Sequence, residues 1–319
     1  MKDFENEECL YEDAVAKRYN QDYHQSIIMR EHDEEFSAFV AQYFHKGDRV
    51  LDLGCGPASL WHLWKKSLSG YDTLIGVDIS KMMIEECKKI FPDDDFRVGS
   101  VFKIPVESGS IDLLIASSML HHIPDENLPE VFQEMNRVLD EHGTIVGREP
   151  VSKGRLGDIP GWFSRSLMSF RHMVYRLTHI REYPEPAIGE HHHAYVPHEF
   201  FDTLKQYFSP KSISFRHPVS SYVLRCNHSL VSKTVNYLDN TIGHRGGHEF
   251  YYVAIKNYCD ASDIAWCVEK ELKNNTEPLR NKEEFLALLQ KASELIEREI
   301  HQSNLIKESD NEQYKNRVN

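Results

Sequence analysis

VLDLGCGPAS, residues 50–59, begins with a short, mostly apolar run that is followed by a Gly-Cys-Gly turn. A second apolar run, residues 73–78, ends at Asp78. Glycines at the end of a strand let the backbone turn sharply and approach a ligand that a Cβ atom would exclude. In a doubly wound sheet the ends of the first two strands are adjacent, so a carboxylate at Asp78 can accept both hydroxyls of a ribose. The two runs together predict a ligand site at the carboxyl edge of a parallel sheet.

Strand-like and helix-like segments alternate on both sides of this turn. Helical periodicity covers residues 10–45, strands are predicted at 49–53, 73–78, 96–98, 111–117 and 144–147, and helices at 60–68, 81–90 and 128–139, with Gly143 as the stop of the last helix. Strands that alternate with helices are typical of parallel βαβ units with right-handed crossovers.

The alternation is interrupted after Pro150 by a Gly- and Pro-rich stretch that contains one helix pattern, over residues 162–178. It then resumes with a helix at 197–208 and strands at 211–217 and 249–255. We therefore predict an N-terminal helical cap over 1–40, one α/β domain over 41–257 with a cap insertion at 151–196, and a helical tail over 258–319.

The composition excludes several classes of protein. The chain has 319 residues, 40% of them hydrophobic, so it can bury a sizeable core and is not disordered throughout. Its formal charge of −13 disfavours a nucleic-acid partner. Six scattered cysteines without a CxxC pair argue against a disulfide framework or a structural zinc knuckle. The acidic N-terminal stretch does not resemble a signal peptide, and no apolar run reaches the roughly 20 residues of a membrane span, so we expect a cytoplasmic location.

The residues around the turn narrow the kind of ligand. Ser59 stands where a nicotinamide fingerprint needs its third glycine, and no GK[ST] pattern follows, so neither that site nor a Walker loop fits. Asp52, two residues before the first glycine, suits a ligand with a cationic head, such as an ammonium or a sulfonium. A tight turn without a ligand is the alternative, which the combination of Asp52, Asp78 and a parallel sheet disfavours.

Four segments resemble motifs of the class I S-adenosylmethionine-dependent methyltransferases, most closely the small-molecule and quinone-type branch. They are VLDLGCGPAS, IGVDIS at 75–80, DLLIASSMLHHIPD at 112–125 and FQEMNRVLDEHGTIVGREP at 132–150. The resemblance implies a Rossmann-like, mostly parallel seven-stranded sheet with an antiparallel last strand. It also implies S-adenosyl-L-methionine as cofactor and methyl transfer to a small or lipid-like, possibly anionic, metabolite by in-line displacement. An RNA methyltransferase and a non-catalytic binding protein are the alternatives.

The resemblance also assigns roles to positions of this chain. Asp52, Gly54 and Gly56, with Cys55 between the glycines, would hold the methionine part, and Asp78 the ribose. The adenine would meet Ile79, Ser100 and Val101, and the sulfonium would lie above Ser117. Apart from the resemblance, Tyr11, Tyr19 and Tyr23 of the N-terminal helix could close the cofactor pocket from the other side, and packing in the core is the alternative. Ser100 departs from the family pattern, in which many members carry an acid for the adenine amino group.

Three residues are candidates for a general base, which a hydroxyl or carbon acceptor would need. His121 and His122 follow the fourth strand, with His122 slightly favoured, and Glu149 ends the fifth. The alternatives are that the histidines only orient their loop and that Glu149 is a solvated strand-end carboxylate.

The remaining predictions concern metals and partners. Adjacent histidines at 191–193, with Glu190 and His198, have poor spacing for zinc, so we expect no metal. The basic insertion, through residues 155–181, could recognise an anionic acceptor or rest on an anionic membrane. An ordinary lid helix with a solvated basic face is the alternative. An apolar stripe in the tail, residues 285–296, could pair with a partner, including a second copy of the chain.

Overall fold

The computed structural model describes residues 3–23, 26–151, 194–220, 229–242 and 249–256, together with helical positions within 166–174 and 286–297. Side chains of the first helix are described up to residue 16, except residue 15. Predictions that fall on other residues, among them the 191–193 histidines and most of the basic insertion, lie outside the described part of the chain.

One seven-stranded sheet organises the described residues. Its strands are β1 (Arg49–Leu53), β2 (Thr73–Asp78), β3 (Asp95–Val98), β4 (Ile111–Ser117), β5 (Leu139–Pro150), β6 (Phe208–Arg216) and β7 (Glu249–Lys256). The strand order is β3-β2-β1-β4-β5-β7-β6, and β7 is antiparallel to both of its neighbours. This confirms the predicted mostly parallel sheet with an antiparallel last strand. The strand order reverses between β1 and β4, which are parallel neighbours, and this switch point is where ligands of open α/β sheets bind.

Seven α-helices whose bounds lie in the described ranges accompany the sheet, apart from the helical positions within 166–174 and 286–297. They are α1 (Asp3–Tyr23), α2 (Ile27–Val40), α3 (Trp61–Ser67), α4 (Lys81–Ile90), α5 (Leu128–Val138), α6 (Pro197–Leu204) and α7 (Ser229–Ile242). The helical pattern predicted over 10–45 is divided between α1 and α2. Ser26, in an extended conformation, caps α2 by accepting a hydrogen bond from the Met29 amide.

The hydrophobic core lies on both faces of the sheet. Along β4, Leu114 and Ala116 belong to the cluster on one face, and Leu113 and Ile115 to the cluster on the other. This alternation, with burial on both faces, is what a central parallel strand requires. The second cluster contains Phe36 of α2, Trp61 and Trp64 of α3, and Tyr251 of β7.

The boundary between α5 and β5 differs from the prediction. The helix ends at Val138, and β5 begins at the next residue and runs through Gly143, which therefore does not stop the helix. Leu139 pairs with Ile111, whereas Thr144 pairs with Leu113, so the extra residues of β5 form an irregularity. Such an offset hides the start of a strand from a reading based on periodicity.

The described parts of the insertion are a parallel bridge between Val151 and Tyr195 at its two ends and helical positions in between, and the described part of the tail is helical. Positions between 166 and 174 are helical, with Phe170 and Val174 buried, and positions between 286 and 297 are helical, with Leu289, Ala292 and Ile296 buried. The predicted domain boundaries remain predictions. Among the described helices, none combines the length and apolar character needed to cross a membrane.

A buried ion pair joins α2 to the sheet. The Arg148 guanidinium on β5 donates to Asp33 Oδ1 at 2.6 Å and, through Nε, to Ser117 Oγ at 2.9 Å. The two side chains of the ion pair are only 5% and 6% exposed. Removing one partner of such a pair leaves a buried charge uncompensated, which is costly.

We expect Asp33→Ala to lower the free energy of unfolding by about 3–5 kcal/mol. Glu34→Ala, at an exposed neighbouring position of the same helix, is the matched control and should change it by less than about 0.5 kcal/mol. Urea unfolding of both variants measures the difference. Equal losses would show that the ion pair does not hold α2 in place.

Candidate functional site

The turn after β1 is built from two glycines in left-handed conformations. Gly54 has φ +74° and Gly56 has φ +51°. The amides of Gly54 and Cys55 both donate to the Val77 carbonyl of β2, at 2.8 and 3.0 Å. A Cβ on Gly54 would lie 2.8 Å from the Cβ of Met119, whereas a Cβ on Gly56 would meet nothing within 4 Å among the described atoms. The chain thus leaves open space beside Gly56.

Asp78, at the end of β2, lies directly against this turn. Its Oδ2 accepts from the Gly56 amide at 2.9 Å, and its Oδ1 accepts from the Ser80 amide at 2.8 Å. Burial raises the pKa of Asp78 to about 6, against the opposing effect of these two amides. Each oxygen has a further lone pair, so the carboxylate can accept two additional hydrogen bonds.

Asp52 is buried on β1 and accepts a hydrogen bond from the Trp64 indole at 2.8 Å. Burial raises its pKa to about 7, and the neighbouring charge of Asp78 acts in the same direction. Asp52 therefore lies at the expected edge, with one oxygen engaged by α3. In the sequence, only Trp64 itself indicates this hydrogen bond, because a buried indole N–H needs an acceptor.

The other predicted cofactor residues lie along the same edge. Ile79 is partly buried after β2, its carbonyl facing Cys9 Sγ at 3.7 Å. Val101 packs against the core after β3, and Ser117 ends β4 and accepts from Arg148. Tyr19 lies on α1, but its side chain is outside the described atoms.

Helix α1 carries a row of acidic side chains across the carboxyl edge, which the sequence analysis did not identify as part of the site. Glu5 accepts from Ser100 Oγ, Glu8 contacts His122 Nδ1 at 2.6 Å, and Asp13 accepts from the Ser80 hydroxyl. These contacts attach α1 to the segments that follow β2, β3 and β4. The available signal was the spacing of Glu5, Glu8 and Glu12, which places three acids on one helix face.

Glu12 is the most perturbed of these acids. Burial raises its pKa to about 9, and the charges of Asp78 and Glu8, with a hydrogen bond to Glu8, add to that effect. At neutral pH it therefore retains its proton. The site thus gathers more carboxyl groups than it can ionise together, which makes it favourable for a cation.

In the segment after β4, His121 forms a partly buried pair with Glu149 of β5. Glu149 is fully buried on β5, so the interpretation as a solvated strand-end carboxylate is wrong. It accepts from the amides of Met119 and Leu120 at 3.1 and 2.8 Å, and it contacts His121 Nδ1 at 2.9 Å. Burial raises its pKa to about 7 despite these donors. Glu149 therefore fixes both the backbone of the histidine loop and one nitrogen of His121.

The two loop histidines have different partners. His121 is bound to Glu149 from the sheet, and His122 to Glu8 from α1, although their rings are only 4.2 Å apart. Both side chains are mostly buried, with 17% and 19% exposed. Neither is a freely solvated histidine, and each has a carboxylate that can orient it.

Comparison with known proteins identifies the part of the chain that builds this edge. Residues 50–143 match a family model described as a methyltransferase domain. The matched residues contain the glycine turn and the strands β1 to β4, so this part of the chain is similar to a methyltransferase domain.

Individual relatives are distant. An uncharacterized methyltransferase of Oceanobacillus iheyensis is 27% identical over 143 residues, 45% of this chain and 63% of that protein. The ubiquinone/menaquinone biosynthesis C-methyltransferase of Campylobacter jejuni is 26% identical over 124 residues, 38% of this chain and 52% of that protein. The chain thus spans less than two thirds of the length of either relative. The crystal structure of the PH0226 protein of Pyrococcus horikoshii has 18% identity and a TM-score of 0.48, over 76% of this chain and 99% of that one.

The geometry of the turn predicts different effects for its two glycines. Gly54→Ala should lower the free energy of unfolding by about 2 kcal/mol or more, because it adds a clash with the Met119 Cβ to the left-handed strain. Gly56→Ala should cost about 1 kcal/mol, since only the strain applies. Urea unfolding of the two variants tests this order, and a larger loss for Gly56→Ala would contradict it.

Proposed function

We propose that the protein transfers a methyl group from S-adenosyl-L-methionine to a small or lipid-like metabolite. The observation that carries the proposal is the contact between Asp78 and the Gly56 amide, beside open space at the carboxyl edge of β1 and β2. Such a carboxylate suits a ribose diol, and the backbone beside it suits a ligand that needs close approach. The residues present therefore fit the cofactor that the methyltransferase domain implies.

The bound cofactor would supply a methyl group on a cationic sulfur, which an acceptor atom attacks in line. The residues of this chain then have to bind, orient and exclude water. Gly54, Cys55 and Gly56, with Asp52 nearby, would hold the methionine part, and Asp78 would accept the ribose hydroxyls. Ile79 and Val101 would contact the adenine, and Ser117, fixed by Arg148, would lie beneath the sulfonium.

Glu5 explains how this chain can recognise the adenine although Ser100 replaces the acid that many family members have at this position. Where many family members carry an acid for the adenine amino group, this chain has a serine, and α1 brings the Glu5 carboxylate onto its hydroxyl. The hydroxyl donates to Glu5, so a carboxylate oxygen lies next to the position that the family acid would occupy. We assign the recognition of the adenine edge to Glu5 and Ser100 together.

For an acceptor that needs deprotonation, His121 suits the role of base better than His122. Glu149 engages Nδ1 of His121 from a fully buried position, so proton exchange with an acceptor falls to Nε2. Glu149 is then a positioning residue. His122 is bound through the same ring atom, Nδ1, to Glu8 of α1, but that carboxylate is only partly buried and so orients the ring less firmly than Glu149 orients His121.

Two observations bear on the class of methyl acceptor, namely the net charge of the chain and the name of one relative. The net charge of −13 disfavours RNA, and the matched C-methyltransferase acts in quinone biosynthesis by its name. The charge supports a small or lipid-like acceptor over RNA, and the name of that relative points to the quinone type among such acceptors. A membrane contact through residues 155–181, a homodimer and a cytoplasmic location stay as predictions.

Calorimetric titration tests the cofactor site. Wild-type protein should bind S-adenosylmethionine and its demethylated product. Asp78→Ala should lower the affinity for both ligands by about a hundredfold, because a buried pair of charge-assisted hydrogen bonds is lost. Asp95→Ala, at an exposed acid on the neighbouring strand, is the control and should bind normally. Equal affinity in both variants would overturn the site.

A second experiment separates an enzyme from a protein that only binds the cofactor. An enzyme should release S-adenosylhomocysteine when a metabolite extract is added, and His121→Ala should abolish this release.

The raised pKa values predict how binding depends on pH. Asp78 and Asp52, with pKa values of about 6 and 7, gain negative charge between pH 5.5 and 8. S-adenosylmethionine carries a positive sulfur that its product lacks, so its affinity relative to the product should rise at least severalfold over this interval. Titrations of both ligands at the two pH values measure the ratio. Asp78→Asn should flatten the change, and a ratio that falls with pH would contradict the charge argument.

A further inference from the structure

Two carboxyl groups of α1, those of Glu8 and Glu12, share a hydrogen bond at the carboxyl edge of the sheet and are called the carboxyl pair below. The two residues are four positions apart, so their side chains lie on one face of the helix. The Glu12 carboxyl donates to Glu8, and Glu8 in turn contacts His122 Nδ1 at 2.6 Å. A carboxyl group can donate only while it keeps its proton. The carboxyl pair therefore holds one proton between its two groups.

The carboxyl pair spans two of the strand ends that build the cofactor site. One ligand atom each of Glu8, Glu12 and His122 lies within 4.8 Å of the others, so the pair meets the segment after β4. At the end of β2, Asp78 is close enough for its charge to raise the pKa of Glu12. The pair thus reaches from the carboxylate assigned to the ribose to the segment that follows Ser117, the residue assigned to the sulfonium.

Contacts on both sides of the carboxyl pair fix α1 in this place. On the C-terminal side, Asp13 accepts from the Ser80 hydroxyl and, at 3.2 Å, from the Met82 amide. On the N-terminal side, the ring of Phe4 packs edge-to-face against Phe102, with centroids 5.9 Å apart. None of these contacts uses the pair itself. They can therefore hold α1 in position while the pair gains or loses its proton.

The surroundings of the carboxyl pair are negative. Burial raises the pKa of Glu12 to about 9, and the charges of Asp78, Glu8 and Asp13 act in the same direction. The Cys9 thiol, on the same helix, is affected in the same way, because burial raises its pKa and the charges of Asp13 and Asp78 raise it further. A positive charge brought to this place would stabilise the ionised carboxylates, and it would displace the proton of the pair.

We propose that the carboxyl pair gives up its shared proton to the solvent when the cationic sulfur of the methyl donor binds, so that Glu8 and Glu12 distinguish S-adenosylmethionine from its product. The inference rests on the proposed function, and it adds two residues of α1 to that site. The sulfur is a cation in the donor and neutral in S-adenosylhomocysteine. The pair is therefore ionised beside the donor and takes a proton back from solvent once the methyl group has left. Product then binds less tightly than fresh donor, which favours their exchange.

Proton release on binding tests the proposal with the full chain. Each ligand is titrated calorimetrically at pH 8 in phosphate and in Tris, whose heats of ionisation differ, so that the measured heats give the number of protons released. EDTA in every buffer keeps metal ions away from the carboxyl pair. At this pH, Asp78 and Asp52, with pKa values of about 6 and 7, are already largely ionised.

The expected result is a difference between proteins that depends on the ligand. With S-adenosylmethionine, wild-type protein should release about one proton more than Glu12→Gln, because an amide has no proton to give up at this pH. With S-adenosylhomocysteine, the two proteins should release the same number. The comparison of proteins cancels any proton that the ligand's own amino group exchanges. Glu12→Gln should also lower the affinity for the donor relative to the product by about tenfold, and Glu8→Gln should change this ratio in the same direction.

Matched controls separate the carboxyl pair from the general acidity of α1. Glu7→Gln removes an exposed acid of the same helix, and Cys9→Ser removes the other group near Asp78 whose pKa is raised. Both variants should match wild type in proton release and in the ratio of affinities. The Tm of each variant without ligand checks its fold.

The outcomes distinguish this proposal from the proposed function. If both ligands bind and Glu12→Gln releases as many protons as wild type with S-adenosylmethionine, the role of the carboxyl pair is wrong and the cofactor site stands. If the extra proton is lost in Cys9→Ser but not in Glu12→Gln, it comes from the thiol, and the proposal is equally wrong. If wild-type protein binds neither ligand, the cofactor site itself is wrong and the carboxyl pair has no donor to recognise.

Discussion

The amide of Gly56 donating to the carboxylate of Asp78 is the contact on which the site depends. It exists because β1 and β2 are parallel neighbours, so both strands end at the same edge. The left-handed glycines turn the chain there, and the Val77 carbonyl receives two amides of the turn. The strand ends thus fix the carboxylate and the turn relative to each other before any ligand binds, which lowers the entropy that binding must overcome.

The sheet and its ligand edge could be predicted from the sequence because they have local signatures. Apolar runs that end in Gly-Cys-Gly or in Asp78 mark strand ends, and alternation with helices implies parallel pairing. The start of β5 had no such mark, since it follows α5 without a turn residue and Gly143 lies inside an irregular stretch of the strand. The prediction that Gly143 ends helix α5 was therefore wrong.

The contacts that the acidic side chains of α1 make at the ligand edge could not be predicted from the sequence. That Glu5, Glu8 and Glu12 share one helix face is evident from their spacing, but a face of acids usually indicates contact with solvent. Only the packing of α1 against α4 turns that face onto the carboxyl edge. There, Glu5, Glu8 and Asp13 meet Ser100, His122 and Ser80, residues separated from them by between 67 and 114 positions. Sequence periodicity carries no information on contacts of this range.

Two adjacent residues of β5 connect these parts of the molecule. Successive side chains of a strand point to opposite faces. Glu149 therefore reaches the histidine loop on one side, while Arg148 reaches Asp33 of α2 and Ser117 of β4 on the other. Burial lowers the pKa values of His32 on α2 and His217 after β6, and the charge of Arg148 acts in the same direction. The charge at this one position therefore acts on the end of β4, on α2 and on both of these rings.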